Sequence, residues 1–314
     1  MKRGMTKFFP WARTEECQRK KVESTLKAIS WEPTRACNLN CRHCALACTP
    51  YEVAARTVDP YVVMDTFSAL AECCNPQETF ICINGGEPLL YPYLFLVTRH
   101  LHDLGFDWGM MTNGTLVSRD LVPRCRDAGM RSISVSVDGT KREHDMVRGL
   151  GTYDRAIRAL NYFRKADFLD LIQVTTCVGG HNVSALKDMS SVFSEMGIEQ
   201  WRLVRMQCEG RAAENEEFVL SARDREYLMD FVELESLTEG RPEIIFAGDD
   251  YQGADFAVMP AEKERTERES ALARSWKDLE SASVSRVPME GLIPCEASTE
   301  MATSMLPGNS KKRQ

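Results

Sequence analysis

Three cysteines stand close together near the start of the chain, at Cys37, Cys41 and Cys44. They directly follow a strand-like run, Ala28–Pro33. Thiolates are soft ligands that suit iron–sulfur clusters and zinc. Three cysteines on one loop can bind three irons of a cubane and leave the fourth iron open, whereas clusters that only carry electrons usually take four cysteines. The same residues are also compatible with a structural zinc site completed by Cys48 or His43.

A second stretch, about forty residues further on, favours the cluster. Thr79–Ile83 is an apolar run typical of a buried strand, and it leads directly into Gly85-Gly86-Glu87-Pro88. Two glycines allow a backbone to pass close to a ligand, and a carboxylate placed there can accept hydrogen bonds from an ammonium group. A zinc site has no use for such a loop. The two stretches together therefore indicate a metal cluster beside a bound small molecule.

The cysteine motif after the first strand and the Gly-Gly-Glu-Pro motif after the second resemble the radical S-adenosylmethionine (SAM) enzymes. The resemblance implies a [4Fe–4S] cluster on Cys37, Cys41 and Cys44, with SAM as the second cofactor. The open iron would bind the amino and carboxylate groups of the SAM methionine. The loop of Gly85, Gly86 and Glu87 would hold that amino group.

The same resemblance implies further contacts with SAM along the later strands. Thr112 and Asn113 would lie beside the cofactor, and Arg148 would help to hold its carboxylate. Period-two alternation places Ser136 and Asp138 on one face of a strand, where hydroxyl and carboxylate groups suit a ribose. Leu203 would pack against the adenine, although core packing explains it equally well. We assign no catalytic side chain from the sequence.

Strand and helix patterns alternate from residue 28 to residue 240, which predicts a parallel sheet with helices outside it. Six strand–helix units are fewer than the eight of a closed barrel. The fold class predicted is α/β, and the resemblance implies a partial (β/α)6 TIM-like barrel. We expect an N-terminal lead-in at 1–27, a radical SAM core at 28–240, and an incomplete C-terminal appendage at 241–314.

The resemblance is to the branch that carries a C-terminal SPASM domain, whose members modify peptides or proteins. Trp201-Arg-Leu203 and Gly210-Arg-Ala212 are among the motifs that carry it. After Gly240 the chain offers one cysteine, Cys295, and one thiol cannot hold an auxiliary cluster. We therefore expect a linker, a charged helix and a truncated SPASM-like segment. A catalytically incompetent homologue that binds cluster and SAM as a scaffold is the alternative reading.

Composition limits the partners. The 314-residue chain has a formal net charge of −7, which gives no attraction for nucleic acid or an anionic membrane. No apolar stretch approaches the roughly 18 residues of a membrane span, and the N-terminus lacks the features of a secretory signal. We predict a cytoplasmic enzyme that acts on a peptide or protein and takes its electron from an external one-electron reductant.

Overall fold

The computed structural model describes residues 28–46, 48–49 and 58–247 of the chain. Within these residues, seven parallel strands form one sheet and are hydrogen-bonded in chain order. The strands are β1 (Ala28–Trp31), β2 (Phe80–Ile83), β3 (Asp107–Thr112), β4 (Met130–Ser136), β5 (Leu171–Val178), β6 (Gln200–Arg205) and β7 (Glu243–Ala247). Because all strands run the same way, their carboxyl ends meet at one edge of the sheet.

Seven α-helices of the described part connect these strands. They are α1 (Pro60–Cys73), α2 (Leu94–Asp103), α3 (Leu121–Asp127), α4 (Lys141–Arg148), α5 (Thr152–Ala166), α6 (Leu186–Glu195) and α7 (Ala222–Ser236). Helix α1 begins at Pro60, and the Asp59 side chain caps it by accepting a hydrogen bond from the Tyr61 amide. No helix of the described part is long and apolar enough to cross a membrane.

The predicted parallel sheet with helices on its outer side is confirmed, and it forms a partial barrel. A seventh strand, β7, continues the sheet beyond the expected core limit at residue 240 and pairs with β6. Its short apolar run follows Arg241-Pro242, without the longer pattern that marks the other strands. The predicted lead-in at 1–27 and the SPASM-like residues from 248 onward lie outside the described residues.

The two faces of the sheet differ sharply in chemistry. On the helix-facing side, Val135, Val174 and Trp201 are fully buried in the main core. The Trp201 ring packs edge-on against Phe193 of α6 and Phe231 of α7. The opposite face, which lines the inside of the barrel, carries polar side chains on β4, β5 and β6. The apolar face therefore holds the helices in place, and the polar face is left for the site.

Candidate active site

The cysteine loop that follows β1 packs directly on the Gly-Gly-Glu-Pro loop that follows β2. The Gly86 amide donates to the Thr34 carbonyl at 2.9 Å, and the Glu87 amide donates to the Ala36 carbonyl at 2.8 Å. A Cβ on Gly86 would lie 2.2 Å from the Ala36 oxygen, which no real side chain tolerates. From the sequence, we expected these glycines to let the backbone pass close to a ligand. In the structure they also allow two motif-bearing loops to lie against each other.

Glu87 joins the second motif to the third. Its side chain is fully buried, and one carboxylate oxygen accepts from the Thr112 hydroxyl at 2.8 Å while the other accepts from the Asn113 amide at 2.9 Å. The Leu89 amide donates to it as well, at 3.3 Å. Burial raises the pKa of this carboxyl group, against these hydrogen bonds. Glu87 thus fixes the end of β3, and its contact with the SAM ammonium stays a prediction.

Asn113 is hydrogen-bonded to the cysteine loop. Its side-chain amide donates to Asn38 Oδ1 at 2.9 Å and lies 3.9 Å from the Cys37 sulfur. Asn38 in turn donates to the Thr115 hydroxyl at 2.8 Å. Three separate sequence motifs are therefore joined by hydrogen bonds at one place on the carboxyl edge of the sheet.

Asp138 forms a buried ionic network with the cysteine loop. His43, which lies between the second and third cysteines, places Nε2 3.0 Å from Asp138 Oδ2. Arg148 pairs with the same oxygen, and the Cys177 amide donates to the other oxygen at 2.8 Å. Burial alone would raise the pKa of Asp138, but the charges of Arg148 and His43 hold it well below its usual range. The sequence assigned Asp138 to the ribose and Arg148 to the SAM carboxylate, and the structure pairs them with each other.

The polar inner face next to this network contains Ser134 and the predicted Ser136. Ser134 Oγ lies 2.7 Å from Thr175 Oγ1, and Gln173 bonds to Gln200 on the neighbouring strand. Ser136 is 8% exposed at the carboxyl end of β4, next to the turn that carries Asp138. The contact of Ser136 with the SAM ribose stays a prediction.

Leu203 lies elsewhere. It shares the helix-facing side of β6 with Trp201 and is fully buried in the main hydrophobic core. The Trp201 indole donates to the Thr176 hydroxyl on that same side, which fixes the orientation of the two strands. This placement favours core packing, the other explanation that the sequence allowed for Leu203, over contact with adenine.

The cysteine loop fits an iron–sulfur cluster. Burial, more than the nearby charges of Asp138 and the two other thiols, raises the pKa of Cys41 to about 11. A hydrogen bond with Cys48 lowers the pKa of Cys44, helped by the charge of Arg211. The charge of Arg148 acts to lower the pKa of Cys41, and the charge of Arg211 acts to lower that of Cys44. These two charges would balance the negative charge of a thiolate-bound cluster. The donor set is that of iron–sulfur sites.

A single zinc ion fits less well. Among the described residues, no group of three His, Cys, Asp or Glu side chains is arranged to hold one metal ion. Structural zinc needs four ligand atoms within about 2.0–2.3 Å of one point. In a cubane each cysteine binds a different iron, so the three sulfurs do not have to converge.

Two features of the site were not assigned from the sequence. The first is the segment Gly210–Phe218, which follows β6 and bonds to the cysteine loop through Arg211, at a sequence separation of 170 residues. The second is His181 after β5, whose ring lies 6.3 Å from that of His43. Both ring nitrogens of His181 are buried and have no hydrogen-bond partner among the described residues. The Gly210-Arg-Ala motif was the available signal for the first, and Gly179-Gly180 before His181 for the second.

Known proteins resemble this chain over the part that contains the site. An AdoMet-dependent heme synthase of Methanosarcina barkeri (strain Fusaro) is 32% identical over 194 residues, covering 61% of this chain and 54% of that protein. The mycofactocin maturase MftC of Mycobacterium ulcerans (strain Agy99) is 29% identical, covering 59% and 49%. The chain spans about half the length of the curated relatives it matches.

A solved structure shares the fold. Native anSMEcpe with bound AdoMet and Cp18Cys peptide superimposes with a TM-score of 0.57 at 19% identity, covering 69% of this chain and 62% of that one. Residues 31–191, just over half of the chain, match the Radical SAM superfamily. That region contains the three cysteines, the Gly-Gly-Glu-Pro loop and the Asp138 network, and so the chain belongs to the radical SAM superfamily.

Proposed function

We propose that this protein binds a [4Fe–4S] cluster on Cys37, Cys41 and Cys44 and cleaves SAM reductively beside it. When bound, the cluster supplies the electron that converts SAM to methionine and a 5′-deoxyadenosyl radical, which removes a hydrogen atom from the substrate. The observation that carries the proposal is the convergence of four motifs. Buried hydrogen bonds join the cysteine loop to Glu87, Asn113 and Asp138.

The chain's own residues would bind and orient the cofactors. Asn113 holds the start of the cysteine loop through Asn38, and Asp138 holds its end through His43. Glu87 and Ser136 would contact the ammonium and the ribose of SAM. Glu87 and Asp138 are fully buried, so both carboxylates are shielded from water and their hydrogen bonds hold the loops in place.

We propose a peptide or protein as the substrate. Support comes from two proteins: the chain is similar to a mycofactocin maturase, and it shares its fold with anSMEcpe, whose structure contains a peptide. A second candidate is a heme precursor, because the relatives with about 30% identity include AdoMet-dependent heme synthases. Both reactions begin with cleavage of SAM, so the substrate is assigned by a second experiment.

The first experiment measures iron, sulfide and SAM cleavage in anaerobically reconstituted protein. We expect about four irons per chain, and 5′-deoxyadenosine and methionine on addition of dithionite and SAM. Replacing Cys37, Cys41 and Cys44 with alanine should abolish both. Tight zinc without sulfide would contradict the proposal. A cluster that binds SAM but never cleaves it would instead support the scaffold alternative.

The second experiment addresses the substrate. Deuterium transfer into 5′-deoxyadenosine can be followed with deuterated peptide pools and with deuterated iron coproporphyrin. Transfer from a peptide alone would support the peptide assignment. Transfer from the porphyrin alone would contradict it and establish the second candidate.

A further inference from the structure

The segment Gly210–Phe218, called the clamp here, follows β6 and hydrogen-bonds to the cysteine loop that follows β1. Arg211 is its centre. The Arg211 side chain donates from Nε to the Cys41 carbonyl at 2.8 Å and from Nη1 to the Cys48 carbonyl at 3.0 Å. Its backbone amide donates to the Cys44 carbonyl at 3.0 Å. One residue thus fixes three carbonyls that lie at or beside the expected cluster ligands.

The rest of the clamp holds Arg211 in position. Asn215 donates to the Arg211 carbonyl at 2.8 Å and to the Arg42 carbonyl at 3.2 Å. The Arg42 side chain donates back to Asn215 at 2.8 Å and lies 4.7 Å from the centre of the Phe218 ring. Gly210, with φ +54°, allows the close approach, because a Cβ there would lie 2.3 Å from the Ala45 carbonyl oxygen.

Two consequences for a cluster follow from this geometry. A guanidinium that bonds to two carbonyls in a rigid fork restricts the loop before any metal arrives, which an ammonium cannot reproduce with the same geometry. A positive charge near a cluster also stabilises its reduced, more negative state, and cluster potentials depend on such charges and hydrogen bonds.

We propose that Arg211 is a positioning residue for the iron–sulfur cluster, which preorganises the cysteine loop and raises the reduction potential of the cluster. This inference rests on the proposed function. It assigns a role to a residue after β6, which is about 170 positions from the ligands in sequence and whose side chain need not contact the cluster.

The test compares R211Q and R211K with the wild type, using R225Q as a matched control. Arg225 is an exposed arginine of α7 that bonds to the Leu220 carbonyl and, among the described residues, makes no bond to the cysteine loop. Each protein is reconstituted anaerobically. Three quantities are measured: iron and sulfide per chain, the rate of iron loss to a chelator, and the midpoint potential of the cluster by a titration followed by electron paramagnetic resonance.

We expect R211Q to lose iron about ten-fold faster, as for other outer partners of metal ligands, and to have a lower midpoint potential. R211K should lose iron as R211Q does but keep the wild-type potential, because it retains the charge without the fork. R225Q should match the wild type in all three. If R211Q does not fold, R211K and Gly210→Ala carry the test. Gly210→Ala keeps the charge but displaces the clamp, so it should also lose iron faster.

Wild-type iron retention and potential in R211Q would overturn the inference. A fall of the potential in R211K equal to that in R211Q would refute its electrostatic part. Neither result would affect the proposed function, provided that the wild type binds its cluster and cleaves SAM. A wild type that binds no four-iron cluster would instead refute the proposed function itself.

Discussion

The carboxylate of Glu87 already accepts three hydrogen bonds from the chain. It therefore connects the Gly-Gly-Glu-Pro loop to the end of β3, in addition to being a candidate ligand of SAM. In Glu87→Gln, one oxygen becomes an NH2 group that faces a backbone donor, either the Leu89 amide or the Asn113 amide, whereas the Thr112 hydroxyl can turn and accept. We expect the free energy of unfolding to fall by about 1–3 kcal/mol, the cost of an unsatisfied buried donor. SAM affinity should fall as well. Urea denaturation of the apo protein and equilibrium dialysis with SAM measure the two effects separately.

Glu226→Gln on the exposed face of α7 is the control, and it should change neither quantity. A loss of SAM affinity at unchanged stability would show that Glu87 acts as a ligand alone. A loss of stability at unchanged affinity would show that its role is structural and that the sequence-based assignment is wrong.

Asp138 is the second buried carboxylate; it pairs with the Arg148 guanidinium and lies 3.0 Å from His43 Nε2. Asp138→Asn leaves the buried guanidinium without its counter-charge, and breaking such a pair costs about 3–5 kcal/mol. Asp154→Asn is the control, because Asp154 pairs with Lys141 where both side chains are more than half exposed. An exposed pair contributes about 0–1 kcal/mol. Equal unfolding free energies for the two variants would contradict the buried network.

The same variant should change the response to acid. The folded-state pKa of Asp138 lies well below its usual value, so its ionised form stabilises the protein above the unfolded pKa of about 4. That contribution is lost as the pH falls below about 4 towards the folded pKa. The Asp138→Asn variant should therefore lose less unfolding free energy than the wild type between about pH 5 and pH 2. Parallel curves for the two proteins would show that Asp138 does not carry this pH dependence.

Single residues of the site were predictable where a local motif contains them. The spacing of Cys37, Cys41 and Cys44 and the Gly-Gly-Glu triplet identify the family without any structure. The partners of these residues were not predictable in the same way. The SAM contact of Arg148 stays a prediction, and its pairing with Asp138 was not foreseen, because distances between motifs depend on how the loops pack. Leu203 was ambiguous for the same reason, since one strand position fits both the core and a ligand until the facing side is known.

At the scale of elements, the contact between the cysteine loop and the Gly-Gly-Glu-Pro loop depends on Gly86. Gly86→Ala would place a Cβ 2.2 Å from the Ala36 oxygen and 2.7 Å from the Ala36 carbonyl carbon, and backbone atoms cannot move aside cheaply. We expect a loss of about 1–3 kcal/mol, as for other overpacked sites, and slower cluster assembly. Thermal denaturation and the time course of iron incorporation measure these effects.

Gly240→Ala is the matched control for this prediction. Within the part of the chain that the structure describes, a Cβ on Gly240 meets no atom within 4 Å, and we expect a cost of about 1 kcal/mol from the left-handed backbone at φ +77°. It should load iron at the wild-type rate. If Gly86→Ala also loads iron normally, the packing of the two loops does not position the cysteines.

Strands β1 and β2 were predicted within two residues at each end, from the runs Ala28–Pro33 and Thr79–Ile83, because a short apolar run before a loop motif carries a local signal. Two elements were not. Helix α4 contains mostly charged residues, and its buried contacts come from two positions, His144 and Val147. Strand β7 is five residues long and follows a proline, so its apolar run carries little local signal. Tertiary contacts stabilise both elements. Arg148 at the end of α4 pairs with Asp138, and β7 pairs with the edge of β6.

At the scale of the whole molecule, β7 extends the described sheet past residue 240. Ile244 and Ile245 are 3% and 5% exposed, and Gln200 of β6 donates to Glu243 at 3.0 Å. A chain of residues 1–240 would therefore expose the edge of β6 and lose two buried side chains. Each contributes about 1.5–3 kcal/mol, so its unfolding free energy should lie about 3–6 kcal/mol below that of a chain of residues 1–247. Urea denaturation of the two chains, compared at equal iron content, gives this difference. Equal midpoints would show that β7 contributes no stability and that the expected core limit at residue 240 is correct after all.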